Sequence, residues 1–174
     1  NTFMSQIDEN SPRNIHTYAF TGEIKKSILE GNIKNYKFNL YQWYQINITK
    51  HEAILEFLRY YMSIKNEKAI EFFENEYKKY YDQEPSKKFT LVKFYILHEK
   101  YQKAENLIRE ILEQYELMLK DMRGKNQTIV FVNPPVDDLH FELGRIFFNQ
   151  KKYEKALENF KTANIINPYH ATAL

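Results

Sequence analysis

The sequence predicts an all-α fold: an α-α superhelix of antiparallel helix hairpins with one long insertion loop. Three observations predict it. The 174 residues include only four Gly and five Pro, and so few chain breakers favour long helices. Apolar residues recur three and four positions apart, as from Ala104 through Ile108 and Ile111 to Tyr115, which is helical spacing. One short phrase also occurs three times along the chain, which indicates an internal repeat.

The repeated phrase lies at residues 67–70, 102–105 and 154–157. Each copy contains an Ala, and a large apolar residue follows it four positions later: Phe73, Ile108 and Phe160. A period of about 34 residues with one insertion describes the spacing, and periods of this length are typical of stacked helix hairpins.

The helix pairs follow in chain order. Residues 12–48 predict a divergent pair that breaks near Gly31, and residues 50–83, 85–120 and 137–168 predict three repeats. Within the first pair, residues 36–40 alternate as a strand does, and this pattern competes with their helix prediction.

The last pair contains a short polar link at 149–152, and so short a connection makes the two helices antiparallel. Residues 169–174 predict the start of a further repeat or a truncated cap. We expect all these pieces to form a single domain over residues 1–174. Because the chain begins at Asn1 and not at Met, we expect it to be a piece of a longer protein.

Three helix starts are predicted from capping residues. Ser11 precedes a proline, which suits the first position of a helix. Thr49 and Glu52 have the spacing of a capping box, in which each side chain accepts a bond from a backbone amide of the first turn. Asp137 follows two prolines and is predicted to cap the next helix.

The insertion occupies residues 121–136, where the repeat period is broken. Residues 128–132 are a run rich in β-branched and aromatic side chains, which is a poor composition for a solvent-exposed loop. We expect the run to pack against the helices. A lid that contacts a partner is the alternative.

The segment from Asp137 to Tyr169 resembles a nearly complete tetratricopeptide repeat. Its matching residues are Leu143, Gly144 and Phe147 in the first helix, Tyr153, Ala156, Phe160 and Ala163 in the second, and the closing Pro168. His140 replaces the usual Trp, and the usual Gly between the helices is absent. The resemblance is less complete in residues 85–118 and least in residues 50–83.

The small residues of this pattern have a physical role. Gly144 and Ala156 are expected to let the two helix backbones approach, and Phe147 and Phe160 are expected to fill the space around them.

Composition excludes several kinds of function. The formal net charge is only +2, which gives no support for nucleic-acid binding. No apolar run reaches the roughly 18 residues that span a bilayer, so no membrane insertion is expected. The chain has no Cys, which is compatible with a reducing compartment, and the cytoplasm is slightly favoured as its location.

We predict no catalytic residues, no cofactor and no metal site. His51-Glu52 and His98-Glu99 each lack the second His that a zinc-protease helix requires, so both pairs are expected on helix surfaces. Acidic residues crowd the helix start near Asp137, where the helix dipole favours them without any metal. The four Gly are scattered, so no phosphate-binding loop is predicted.

The resemblance implies a scaffold that binds a protein or peptide on the concave face formed by the first helix of each pair. The predicted groove residues are Phe89, Lys93, Ile96, Phe141, Arg145 and Phe148. Lys93 and Arg145 would then meet an acidic peptide or a carboxylate. For each Phe, packing against an adjacent helix is the alternative. The family's clamp for chaperone C-termini is not matched, since apolar residues such as Ile54 and Leu58 stand in its place.

A second functional hypothesis belongs to a different class. The chain would be the non-catalytic helical arm of a larger enzyme or regulator, for example a glycosyltransferase or a peptide-sensing regulator, whose active domain lies outside it.

Overall fold

The computed structural model describes residues 13–46, 49–81, 84–124 and 132–169. These ranges contain α-helices and no strand, so the predicted all-α class is confirmed for this part of the chain. The helices are α1 Arg13–Leu29, α2 Ile33–Tyr44, α3 Lys50–Ser63, α4 Glu67–Tyr81, α5 Pro85–Leu97, α6 Tyr101–Gly124, α7 Val136–Asn149 and α8 Tyr153–Ile166. None of them is both long enough and apolar enough to cross a bilayer. The predicted cap at Ser11 lies outside the described residues.

The helices pack as neighbouring pairs, with α1 against α2, α5 against α6 and α7 against α8. Chain contacts divide the molecule into two compact units, Asn1–Tyr80 and Tyr81–Leu174. The single domain expected over residues 1–174 stays a prediction.

The four helix pairs share one type of turn. Gly31 follows α1 with a φ of 64°, in the left-handed region, and its N–H donates to the carbonyl of Ile28 at 3.0 Å. The next N–H, of Asn32, donates to the carbonyl of Ser27 at 2.8 Å. These two bonds are the Schellman arrangement that ends a helix by satisfying its last carbonyls.

The corresponding left-handed residues of the other three turns are Lys65, Glu99 and Lys151, and each turn has the same two bonds. The first three turns are therefore spaced by 34 residues, and the fourth follows 52 residues after the third. The divergent first pair thus keeps the register of the repeat.

Lys151→Gly is expected to raise the free energy of unfolding by about 0.5–1 kcal/mol, because only Gly occupies the left-handed region without a Cβ clash. Urea unfolding followed by circular dichroism measures the change. The matched control is Lys161→Gly, an exposed position inside α8, which should lose about 1 kcal/mol. Equal losses at both positions would contradict the left-handed conformation of residue 151.

Residues 36–40, whose alternation suggested a strand, lie inside α2. The buried residues of α2 are Tyr36, Leu40 and Trp43, four and then three positions apart. Helical spacing of the buried side chains therefore decides the conformation, and Asn32 caps the helix by accepting a bond from the Asn35 N–H at 3.0 Å.

The core of the first unit surrounds Trp43, which is only 2% exposed. The indole stacks on Phe20 with 5.8 Å between ring centroids, and its Nε1 donates to Thr49 Oγ1 at 2.9 Å. The capping-box prediction for Thr49 is therefore wrong. Thr49 precedes α3, but its hydroxyl makes no cap bond and serves instead as the partner of a buried indole.

Aromatic rings hold α3 against α4. Phe57 and Phe73 stack at 4.4 Å between centroids, and Tyr61 stacks on the same Phe73 at 5.6 Å. Phe73 is the large residue that the repeat pattern placed four positions after Ala69, so here the pattern marked a packing position.

The two His residues that were expected on helix surfaces are not fully exposed. His51 is 7% exposed, and its ring lies 5.9 Å from that of Tyr80, so the surface prediction is wrong for His51. His98 is half-buried, with its ring 4.5 Å from that of Phe94. Both contacts are ring packing inside a unit, which helical position alone does not reveal.

In the second unit the small residues lie at the helix contacts. Ala104, Ala156 and Ala163 are at most 2% exposed. A Cβ added at Gly144 would lie only 2.5 Å from the Phe160 ring, a distance that real side chains do not tolerate. Gly144 on α7 thus leaves room for the large Phe160 ring on α8, as the repeat pattern predicted.

The predicted cap at Asp137 is wrong. Helix α7 begins at Val136, with Pro135 before it and no side-chain cap. The Asp137 carboxylate is buried and accepts a bond from Asn167 Nδ2 at 2.8 Å. It therefore ties the start of α7 to the end of α8.

The insertion begins later than predicted, because α6 continues to Gly124. Residues 125–131, with most of the apolar run, lie outside the described residues. At the far end, the Tyr115 hydroxyl donates to the carbonyl of buried Pro134 at 3.0 Å. Burial raises the pKa of Tyr115 to about 12. This end of the insertion therefore packs on α6. Of the predicted further repeat, only Tyr169 is described, and it is exposed.

Candidate functional site

The six predicted groove residues lie on α5 and α7, the first helices of their pairs. Lys93, Arg145 and Phe148 are exposed. Phe89 and Ile96 are each 7% exposed, so the expectation that they face outward is wrong. Helical spacing alone does not predict this burial, because the burial depends on how neighbouring helices pack against α5.

Three of the six residues meet at one cavity of about 490 Å³. Residues of α5, the turn after it, the start of α6, and α7 line this cavity: Lys93, Ile96, Leu97, Glu99, Tyr101, Glu142, Arg145 and Asn149. Lys93 and Arg145 therefore line one cavity, and Ile96 contributes to its apolar wall. We call this the α5–α7 cavity.

The charges of the α5–α7 cavity are balanced. Arg145 Nη1 donates to both carboxylate oxygens of Glu142, at 2.9 and 3.1 Å. Burial raises the pKa of the Glu142 carboxyl above its ordinary value, while the positive charges of Arg145 and Lys93 oppose that rise. Glu99 adds a second carboxylate. Arg145 is therefore already bonded to a carboxylate of this chain.

The ammonium of Lys93 lies 4.7 Å from the centre of the Phe89 ring. Such a cation–π contact holds a lysine in place while leaving its donors available to water or a ligand. Phe89 therefore holds the Lys93 ammonium in place and does not itself line the cavity. This role differs from the direct contact that the sequence predicted.

The two Phe residues of α7 pack within their own hairpin. The ring of half-buried Phe141 lies 5.6 Å from that of Phe160, on α8. Phe148 lies 5.7 Å from Tyr153 at the turn, although it is 57% exposed. Neither residue lines the α5–α7 cavity, so the packing alternative describes Phe141.

Sequence reasoning identified both cations of the cavity but missed its other polar members. Glu142, Arg145 and Asn149 are three and four positions apart, and this spacing places them on one face of α7. That signal was available in the sequence. Glu99 and Tyr101 are brought in by the turn after α5, which no local pattern indicates. Among the described residues, no group of three or more His, Asp or Glu side chains is arranged to hold a metal ion.

Comparisons with known proteins agree with this architecture. The tetratricopeptide-repeat family profile matches residues 137–170. A solved structure from a functional study of Pseudomonas aeruginosa PilF superposes with a TM-score of 0.50 over 91% of this chain, at 14% identity. The chain spans 65% of the length of that structure's chain, and the likeness shows the fold alone. No curated protein matches the sequence. The matched profile thus identifies residues 137–170 as a tetratricopeptide repeat, within an all-helical fold of neighbouring helix pairs.

Proposed function

We propose that this protein is a scaffold that binds a protein segment in the α5–α7 cavity. Tetratricopeptide repeats typically mediate protein interactions and are typically not catalytic. The observation that supports this site is the convergence of Lys93, Ile96 and Arg145, from two first helices, on one open cavity. Its volume of about 490 Å³ suits a few side chains of an extended segment.

The lining suggests what the segment carries. Leu97 is 71% exposed and lies beside Ile96, so the cavity offers an apolar wall for an apolar side chain. The Asn149 amide has both donors and an acceptor, which suits a peptide backbone. Lys93 is the cation best placed to meet a carboxylate of the segment, since Arg145 is already bonded to Glu142. We therefore infer a segment with an apolar and an acidic residue close together.

The double variant Lys93→Glu/Arg145→Glu is expected to weaken binding of such a segment at least about tenfold, because two attractive charges become repulsive. Peptides would first be selected from a displayed random library with the wild-type protein. Their affinities would then be measured by fluorescence anisotropy at low and at moderate salt. We expect acidic residues to be enriched, and we expect salt to weaken binding to the wild type.

The control is Lys120→Glu/Lys161→Glu, which makes the same change of charge at exposed positions of α6 and α8. Its affinity should match that of the wild type. Because Arg145→Glu leaves Glu142 without its partner, Lys93→Glu alone is measured as well, and circular dichroism confirms folding. If the selected peptides bind both double variants equally, or if no peptide is selected, the proposed site is wrong.

A further inference from the structure

A second cavity, of about 350 Å³, lies in the first unit and shares no lining residue with the α5–α7 cavity. It is formed where the end of α1, the start of α2 and the end of α3 meet. Gly31, the left-handed residue of the first turn, lines it, and a Cβ added there would meet no atom within 4 Å. The other three turns have Lys or Glu at the corresponding position. The first turn therefore leaves this cavity open.

The lining is mainly apolar and aromatic. The rings of Tyr36 and Tyr60 lie 5.4 Å apart at an angle of 40°, and both line the cavity. Ile28 and Ile33, also in the lining, are 61% and 62% exposed. Two large aliphatic side chains held in water beside two aromatic rings favour a ligand that removes their surface from water.

The charged residue in this lining is Arg59. Its side chain is 52% exposed, and one guanidinium nitrogen contacts the Glu56 carboxylate at 3.1 Å. The positive charge of Lys25 also acts on Glu56. Burial raises the pKa of the Glu56 carboxyl above its ordinary value, and the charges of Arg59 and Lys25 oppose that rise. Lys37 lies over the Tyr60 ring, with its ammonium 5.2 Å from the ring centre.

Arg59 and Lys25 therefore offset the Glu56 carboxylate, and Lys37 adds a third cation over the Tyr60 ring. Glu30 in the turn and Lys34 at the start of α2 add one charge of each sign and leave this balance unchanged. Arg59 uses one of its donors on Glu56 and has others available, since a guanidinium carries five N–H groups. A ligand that brings one negative charge next to an apolar body would suit both halves of the lining.

We propose that this cavity binds a small amphipathic carboxylate, with its apolar body against Tyr36 and Tyr60 and its carboxylate facing Arg59. The cavity volume is at the small end of the range for ligand sites, about 300–1,000 Å³, which fits a ligand of roughly ten heavy atoms. The proposal is independent of segment binding by the α5–α7 cavity.

Octanoate and its neutral amide, octanamide, are the probes that test the proposal. They share an apolar chain and differ in charge. Titration calorimetry on the full chain should show octanoate binding about two- to fivefold more tightly than octanamide, because a partly exposed ion pair contributes an advantage of that size. Arg59→Gln should remove most of this preference and leave octanamide binding unchanged, whereas Arg59→Lys should keep the preference.

Two further variants make the result specific. Arg109→Gln is the matched control, since Arg109 is an exposed arginine that pairs with a mostly buried glutamate elsewhere, on α6, and it should bind both probes as the wild type does. Ser63→Trp adds bulk to the lining from an exposed position and should weaken both probes. Circular dichroism spectra confirm that each variant is folded.

The proposal is overturned if neither probe binds the wild type, if Arg59→Gln keeps the preference for octanoate, or if Ser63→Trp binds as the wild type does. Equal affinity for the two probes would leave only an apolar site and would overturn the part played by Arg59. A peptide with a free C-terminal carboxylate that binds here when octanoate does not would assign the cavity to a protein segment instead.

Discussion

Trp43→Ala is expected to lower the free energy of unfolding by about 3–5 kcal/mol, the usual cost of truncating a large buried aromatic residue. The indole is 2% exposed, so its removal leaves a cavity among α1, α2 and α3. Two further losses add to this cost. The ring of Phe20 loses its stacking partner, and the buried hydroxyl of Thr49 loses its hydrogen-bond donor.

Urea unfolding followed by far-ultraviolet circular dichroism measures this effect, because the variant has no Trp for fluorescence. Tyr41→Ala is the control: it truncates an aromatic residue on the same helix that is 57% exposed, and it should change stability by no more than about 0.5 kcal/mol. Similar losses in the two variants would show that the first unit is not packed around the indole.

Gly144→Val is expected to lower the free energy of unfolding by about 2–3 kcal/mol. A Cβ at this position would lie 2.5–2.9 Å from three atoms of the Phe160 ring, and Val adds two more carbons beyond it. Overpacking of this kind forces rings or backbones to move, at a typical cost of about 1–3 kcal/mol. The higher helix propensity of Val over Gly returns only a few tenths of a kcal/mol.

Gly22→Val is the matched control, because Gly22 also lies inside a helix and a Cβ there would meet no atom within 4 Å. It should leave stability unchanged or slightly higher. The variant Phe160→Ala then tests the mechanism in a double-mutant cycle. If the Phe160 ring is the obstacle, Gly144→Val should cost much less when that ring is absent. An equal cost in both backgrounds would place the strain elsewhere.

The fold class was predictable because helical periodicity and the recurring Ala positions both follow from the way in which helices pack. The exact register was not. The Ala residues of the three repeated phrases are 35 and 52 positions apart, whereas the left-handed turn residues of the first three pairs are 34 positions apart. Lys65, Glu99 and Lys151 occupy those turns, and no local property of Lys or Glu indicates a left-handed residue.

The failed capping predictions have one physical cause. Spacing along the chain shows which amide a side chain can reach, but it does not show which other partner competes for it. Thr49 is bonded to an indole that is six residues away, and Asp137 to an amide that is 30 residues away. Both partners are supplied by tertiary packing.

The candidate site was predicted in part. Its two cations were identified because their positions on first helices follow from the repeat pattern, and both line the α5–α7 cavity. Phe89 and Ile96 were placed outward because helical position was the only guide, and burial by other elements decided their exposure. The carboxylate partner of Arg145 was visible in the sequence as an i, i+3 pair of opposite charge, but its burial was not.

The position of the single Trp determines what an optical experiment on this protein reports. Trp43 lies in the first compact unit, so tryptophan fluorescence reports on the surroundings of α2 and not directly on α5 to α8. Circular dichroism averages over all the helices. A destabilising change near the C-terminal repeat that moves both signals together would therefore reveal one cooperative melting event, and a shift of the dichroism signal alone would reveal two.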